Sequence, residues 1–386
     1  MNVVFLSPHF PSNYSHFCAN LHKLGATVLG IADEKYENLH DDLKSVLTDY
    51  YQVTDMHDYD QLVRAMGYFT HKYGKIDRFE SHTEYWLETD ARIRTDFNIT
   101  GIKNDGIREI KQKSLMKQTF IKAGIPVAPG KVVKSVEEAK VFIKKIGYPV
   151  IAKPDVGVGA AGTYKINNQT ELQDLFKSKP LLEYFIEGFI TGKIYTFDGL
   201  VDSHGQLVFY TSHTYNDGVM EIVNNDLDTY YYSLRKLPEN LKKAGLATVK
   251  AFNIRERFFH FEFFITPDDK VVALEVNIRP PGGFTMDMFN FANDIDLYYE
   301  WAKILTTGTT TIDYDRKYHC MYVGRKSNKN YVYSHEEIME KFGDLIVQNN
   351  PVSGIFSAAI GNYCYIARSQ ELSEVLEIAD FIHKKI

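Results

Sequence analysis

The sequence predicts an α/β chain in which a parallel-sheet unit is followed by a strand-rich unit. Three observations lead there. Residues 3–6 and 27–32 are short apolar runs with a helical period between them, and such a β-α-β opening implies parallel strands joined by a right-handed crossover. From residue 104 onward, helical stretches end at Gly124-Ile125-Pro126 and Gly147-Tyr148-Pro149 and lead into strands. Residues 260–264 and 273–279 alternate apolar and polar side chains around Thr266-Pro267-Asp268-Asp269-Lys270, a pattern of two strands and a turn.

Within the first unit, residues 12–24 place Phe17, Leu21 and Leu24 on one helical face, and Gly25 stops the helix. Residues 60–73 and 89–97 predict helices, with a strand over 76–80 between them. The unit is placed at residues 1–105. Its first strand runs into Ser7-Pro8-His9-Phe10-Pro11, a turn without glycine, so the glycine-rich pyrophosphate turn of a nicotinamide-binding unit is excluded. Ser7 and His9 sit at a strand's carboxyl end, as ligand contacts or as simple turn residues. The second unit, 106–307, opens on a helix over 107–123, then a helix over 135–146 and a strand over 150–153. A third stretch, 308–386, predicts strands over 318–323 and 357–367 and a helix over 370–383.

Composition bounds the function. The 386 residues are 44% hydrophobic and 24% charged, the balance of a globular protein. A net charge of -6 gives no basic footprint for nucleic acid. No apolar run reaches the roughly 20 residues of a membrane helix. The first residues are too short and uncharged for a signal peptide. Cys18, Cys320 and Cys364 are odd in number and widely spaced, which argues against a disulfide framework and for a cytoplasmic protein.

Three clusters carry chemistry. Lys153 leads into Gly157, Gly159 and Gly162, and residues 163–166 predict another strand. A strand–loop–strand of this kind is a phosphate-cradling flap or a plain surface hairpin. In the second cluster, centring the hairpin between Asp268 and Asp269 puts Glu262 opposite Glu275, with Asn277 and Arg279 on the same face. Phe261, Phe263, Leu274 and Val276 fall on the other face, towards a core. Two carboxylates opposed across strands repel unless a cation lies between them. Two carboxylates, an amide oxygen and substrate phosphates suit Mg²⁺. The third cluster, Leu181-Leu182-Glu183-Tyr184-Phe185-Ile186-Glu187-Gly188, is either an ordinary strand or an adenine-binding one.

Together these residues resemble the ATP-grasp superfamily of ligases, over about residues 1–310. The resemblance lies in their order: Lys113, then Lys153 with Gly157–Gly162, then Glu183–Gly188, then Glu262, Glu275, Asn277 and Arg279. It implies an α+β ATP-grasp fold: a Rossmann-like N-terminal domain, an ATP-grasp domain with its flap over about 114–190, and a small C-terminal α+β subdomain. It implies ATP as cofactor, with Lys113 and Lys153 on its phosphates, Gly157, Gly159 and Gly162 in the flap, and Glu183 and the Phe185 backbone on adenine. Relatives often face the ribose with an acidic residue or His where Ile194 stands here; either Glu187 substitutes or the ribose contact is missing. Glu262, Glu275 and Asn277 are the implied ligands of Mg²⁺, with Mn²⁺ as the alternative ion. Arg279 and Lys153 are the implied catalytic residues. Pro280-Pro281-Gly282-Gly283-Phe284 is similar to the tails of amino-acid ligases. His213, Arg235, Arg255 and Arg257 stand where acceptor contacts could arise, or are structural.

The expected activity is ATP-dependent joining of a small carboxylate, such as an amino acid, to an amine through an acyl phosphate. A purine-biosynthesis or carboxylase-like enzyme and a non-catalytic ATP-binding module are the alternatives. The expected partners are small-molecule carboxylates and amines, with no nucleic acid and no membrane. A homodimer is a family-level expectation.

Overall fold

The computed structural model describes residues 1–157, 162–178 and 183–386. Strands β1 (Asn2–Leu6), β2 (Thr27–Ala32), β3 (Asp49–Gln52) and β4 (Arg78–Glu80) form a parallel sheet in the order β3-β2-β1-β4. Its apolar faces exclude water completely at Val3, Val4, Phe5 and Leu6. The first crossover helix is Ser15–Lys23, after a 3-10 turn, and it buries Phe17, Cys18 and Leu21. Phe17 packs edge-on against Trp301 of the helix Leu297–Thr307, at 5.1 Å between ring centroids.

A second sheet holds β5 (Gly130–Val133), β6 (Val150–Pro154), β7 (Tyr164–Ile166) and β8 (Tyr184–Gly188) in the order β5-β8-β6-β7, antiparallel throughout. The helix expected over 107–123 is two helices, Asn104–Lys111 and Lys113–Lys122, broken at an extended Gln112. Asp155 causes the break. Its carbonyl accepts from Lys113 N at 2.9 Å, and its carboxylate accepts from Ser114 N, Ser114 Oγ and Gln112 Nε2, each at 2.8 Å. A carboxylate there satisfies otherwise unpaired amides and complements the helix dipole.

The third sheet is the largest. It contains β9 (Lys193–Val201), β10 (Leu207–Thr211), β11 (His213–Tyr215), β12 (Thr229–Ser233), β13 (Arg257–Ile265), β14 (Val271–Asn277), β15 (His319–Arg325), β16 (Ile346–Pro351) and β17 (Tyr363–Ser369). The order is β14-β13-β9-β11-β12-β15-β17-β16, with β10 also on β9. Strands from beyond residue 308 therefore extend this sheet, through β12–β15 pairing, rather than forming one of their own. The expected strand over 357–367 is a short helix, Ser357–Ile360, then β17, because Gly361 turns the chain at φ +87°. The last helix, Leu372–Ile382, packs Val375, Ile378 and Ile382 against Met321 and Val323 of β15.

Two contacts tie the sheets together. Ala273 N on β14 donates to Pro126 O at 2.7 Å, which docks the Gly-Ile-Pro segment on the large sheet. At the other junction, Glu80 of β4 takes Arg94 at 2.8 Å and Arg257 of β13 at 3.0 Å, all three buried. Among the described residues no helix is long and apolar enough to cross a membrane.

Candidate active site

The β13–β14 hairpin sets the site. Asp269, at φ +61°, and the Asp269 N to Thr266 O bond of 2.9 Å close the turn. Glu262 pairs directly with Glu275, and His260 with Asn277, as the alternation predicts. The constant register does not hold through the whole hairpin. It shifts between Glu262 and Phe263, where a bulge leaves Leu274 as an extra residue. Leu274 therefore lines the cavity beside Glu275 instead of entering the core; Phe261, Phe263 and Val276 are buried. Burial pushes the Glu275 carboxyl above its ordinary range; Lys113 and Lys153 pull it down, and Glu262 opposite pushes it up again.

Glu262 has its own support behind it. His260 Nε2 lies 3.2 Å from Glu262 Oε1, and His260 Nδ1 lies 2.6 Å from Asp198 Oδ1. Asp198 is fully buried and also takes His213 Nδ1 at 3.1 Å. Burial alone would lower the His260 pKa, but Asp198 and then Glu262 raise it to about 9.

Opposite the carboxylates stands a wall of lysines. Lys113 begins its helix at the Asp155 cap, Lys117 follows one turn later, and Lys153 sits near the end of β6. All three are buried. Lys113 Nζ has only long contacts, 3.5 Å to Gly157 O and 3.7 Å to Glu275 Oε1, and burial lowers its pKa. Glu187 on β8 is gripped from both sides, by Lys153 at 2.6 Å and Lys117 at 2.5 Å. Burial would raise the Glu187 carboxyl, and the two ammonium groups hold it below its ordinary range.

These groups face one cavity of about 780 Å³. Ala128, Ile151, Ile190, Phe264 and Leu274 give it an apolar slot, bounded by the segment from Gly188 to Ile194. Arg279 closes the far end. Its Nε donates to Glu84 at 3.0 Å and its Nη1 to Pro280 O at 2.8 Å. Glu84 also accepts from Lys111 at 2.6 Å. Glu84 follows β4, at a strand's carboxyl end, and escaped the sequence reading because nothing in its neighbourhood forms a motif.

Several expected residues fall elsewhere. Glu183 is exposed and paired with Lys134 at 2.9 Å. Phe185 lies in the middle strand of its sheet, between Val132 and Lys153, so its backbone is committed to the ladder. The reason is a repeated pattern. Glu183-Tyr-Phe-Ile-Glu-Gly188 and Glu187-Gly-Phe-Ile-Thr-Gly192 both spell E-x-F-I-x-G, and the structure turns the second copy into the cavity. Ile194 lines the cavity. Gly157 adjoins Lys113, Gly162 turns at φ +73°, and Gly159 lies outside the described residues. Ser7, His9, His213, Arg235, Arg255 and Arg257 do not line the cavity; Arg257 belongs to the Glu80 junction. Gly283 in the tail after Arg279 offers its carbonyl to Asn13 at 3.1 Å.

Comparison with known proteins fits this geometry. Residues 146–287 match the ATP-grasp domain family. The chain is 25% identical over 245 residues to the L-arginine-specific L-amino acid ligase of Bacillus subtilis, covering 59% of this chain and 57% of that one. It is 23% identical over 232 residues to the carbamoyl phosphate synthase large chain of Agathobacter rectalis, covering 53% of this chain and 20% of that one. The matches thus span little more than half, or much less, of these relatives' lengths. Among solved structures, the L-amino acid ligase from Bacillus licheniformis superposes with a TM-score of 0.77 at 12% identity, over 99% of this chain and 96% of that one. The N5-carboxyaminoimidazole synthetase from Staphylococcus aureus complexed with ADP gives 0.74 at 14%, over 97% and 95%. At such identities these two likenesses speak to the fold. The match to the ATP-grasp domain family thus lies at residues 146–287, within a chain that as a whole shares the fold of these two enzymes.

Proposed function

We propose that the chain is an ATP-dependent carboxylate–amine ligase acting on an amino acid or a similar small carboxylate. One observation carries this reading: the Glu262–Glu275 pair, Asn277, three buried lysines and Arg279 all face a single cavity.

The groups present suit ATP and a divalent cation. Among the described residues the contacts of Lys113 Nζ are long, 3.7 Å to Glu275 and 3.5 Å to Gly157 O, and a phosphate would give this ammonium a closer counter-charge. Among the described residues no group of three or more His, Cys, Asp or Glu side chains could hold a metal by itself. Two carboxylates and an amide oxygen instead suit an ion that keeps substrate oxygens in its shell, as Mg²⁺ does. Glu262, Glu275 and Asn277 would hold that ion, with Mn²⁺ as its substitute, and it would supply charge neutralisation at the phosphates.

In this reading the substrate carboxylate oxygen attacks the γ-phosphorus, ADP leaves, and an acyl phosphate results. The amine nitrogen then attacks the acyl carbon, phosphate leaves, and the amine gives up a proton. Lys113 and Lys153 offset charge on the phosphates. The apolar slot beside Gly188–Ile190 takes the base, and Glu187 accepts from its exocyclic amino group. Arg279, oriented by Glu84, offers its remaining donors to the substrate carboxylate, a match of planar fork to carboxylate. Water has to be kept from the acyl phosphate, which it would hydrolyse.

ADP release with Mg²⁺-ATP and a panel of amino acids, singly and in pairs, tests the reading. Release with particular pairs supports it, and Glu275→Gln is expected to abolish that release. Release only with another acid moves the substrate to the purine-biosynthesis or carboxylase class. ATP binding with no release by any acid favours a non-catalytic binding module.

A further inference from the structure

Lys117 has no part in the chemistry proposed above, yet it is among the most constrained charges in the molecule. It is 5% exposed and its counter-ion Glu187 is 3% exposed. Neither Lys117 Nζ nor Glu187 Oε2 has a hydrogen-bond partner of good geometry, although the atoms lie 2.5 Å apart. The face of the Phe185 ring lies 5.8 Å from Nζ. The pair is held mainly by charge at close range. Buried pairs of this kind are weak contributors to stability, since desolvation offsets most of their attraction.

The geometry around Glu187 suggests a purpose. Its two oxygens are divided between two lysines, Oε1 to Lys153 and Oε2 to Lys117. Lys153 also lies under the attraction of Glu275 and Glu262, so its ammonium is poised beside the ground where phosphates would lie. A phosphate that draws Lys153 away frees Oε1. Glu187 begins the segment that bounds the apolar slot, so the freed oxygen lies beside that slot. Without Lys117, the same step would leave a buried carboxylate with no counter-charge, which costs several kcal/mol.

We propose that Lys117 is a positioning residue: it holds Glu187 Oε2, so that Oε1 can pass from Lys153 to the amino group of an adenine base. Base recognition and phosphate binding are then coupled through one shared carboxylate. The inference rests on the ATP reading above and adds the residue that makes the exchange affordable.

The test is direct binding of nucleotides to the full chain, without turnover. ATP is compared with inosine triphosphate, which carries an oxo group where adenine carries the amino group. Wild type is expected to prefer ATP by about tenfold or more, the worth of one charge-assisted hydrogen bond. Lys117→Met is expected to bind ATP about tenfold more weakly and to lose that preference, while Lys117→Arg retains it. A Lys117→Met variant that keeps wild-type affinity and preference overturns the proposal. If that variant does not fold, Lys117→Gln takes its place, keeping a polar donor at the position without the charge and leaving Glu187 intact: loss of preference supports the proposal, and retained preference overturns it. Wild type that binds neither nucleotide removes the ligase reading itself, and the inference with it.

Discussion

At the scale of single residues, the most unusual side chain lies outside the cavity. His82 is 1% exposed, adopts φ +60°, and has no partner for either ring nitrogen. It is boxed by aromatic rings, with Phe17 at 4.3 Å and Trp301 at 4.5 Å between centroids. Burial lowers its pKa to about 3, despite the pull of Glu80. The folded state therefore refuses a proton that the unfolded chain accepts below its ordinary value of 6.5. The stability that neutral His82 contributes is complete above pH 6.5 and is lost as pH falls towards 3. His82→Asn, which tolerates a left-handed backbone, removes this term. Urea unfolding is expected to show wild type losing about 2 kcal/mol more than the variant between pH 6.5 and 4.5. Parallel losses in the two proteins would sink the assignment.

Residues also show what was legible in advance. Glu262 opposite Glu275 follows from period-two alternation and a turn of ordinary composition, so the register at the site could be read directly. Leu274 could not be placed, because an apolar residue at a bulge looks the same in sequence as one in the core. Lys117 stands four residues after Lys113, one helical turn on, and that spacing was the available signal. Glu183 and Phe185, expected on adenine, do not line the cavity, whereas the same E-x-F-I-x-G pattern four residues on does, and only the strand pairing of β8 tells the two copies apart.

At the scale of elements, the residue before β9 lies close against the end of β13 at the edge of the cavity. A Cβ at Gly192 would lie 2.8 Å from Ile265 O and 3.3 Å from Phe264 Cβ. Gly192→Ala must push the segment 188–194 away from the hairpin. The expected cost is about 1–3 kcal/mol of stability, with several-fold weaker ATP binding. Gly188→Ala is the control for stability, since its Cβ would meet nothing nearer than 3.8 Å. Calorimetric melting of both variants checks this; equal melting temperatures would remove the steric argument. Elements were legible where apolar periodicity was strong, as in β1, β2 and Leu372–Ile382. Strand β3, Asp-Tyr-Tyr-Gln, escaped because four half-polar residues carry no period.

At the scale of the whole molecule, the first sheet is fastened to the large one by charge as well as by the apolar cluster that holds Phe5 and Phe17 against Leu200 and Phe258. Glu80 on β4 is shared by Arg94 and Arg257, both buried, while Arg78 and Glu256 form a half-exposed pair at 3.1 Å beside them. Removing one partner of a buried cluster strands the other. Arg257→Met is expected to cost about 3 kcal/mol, and Arg78→Met no more than about 1 kcal/mol. Urea midpoints separate the two, and equal losses would show that Glu80 does not depend on Arg257. The joining of β15 to β12 was not visible in sequence, because pairing between distant strands leaves no local mark.

Asp155 has one more consequence. It lies two residues after Lys153, and its carbonyl and carboxylate together seat the helix that begins at Lys113. The two lysines are thus mounted on one bracket. The helix that carries Lys113 is packed on the large sheet through Met116 and Phe120, so Asp155 fixes Lys153 of the four-stranded sheet relative to that frame. In the proposed reading an incoming triphosphate would meet a preset pair of jaws, not two wandering side chains, because the entropy of bringing those charges together is spent when the chain folds.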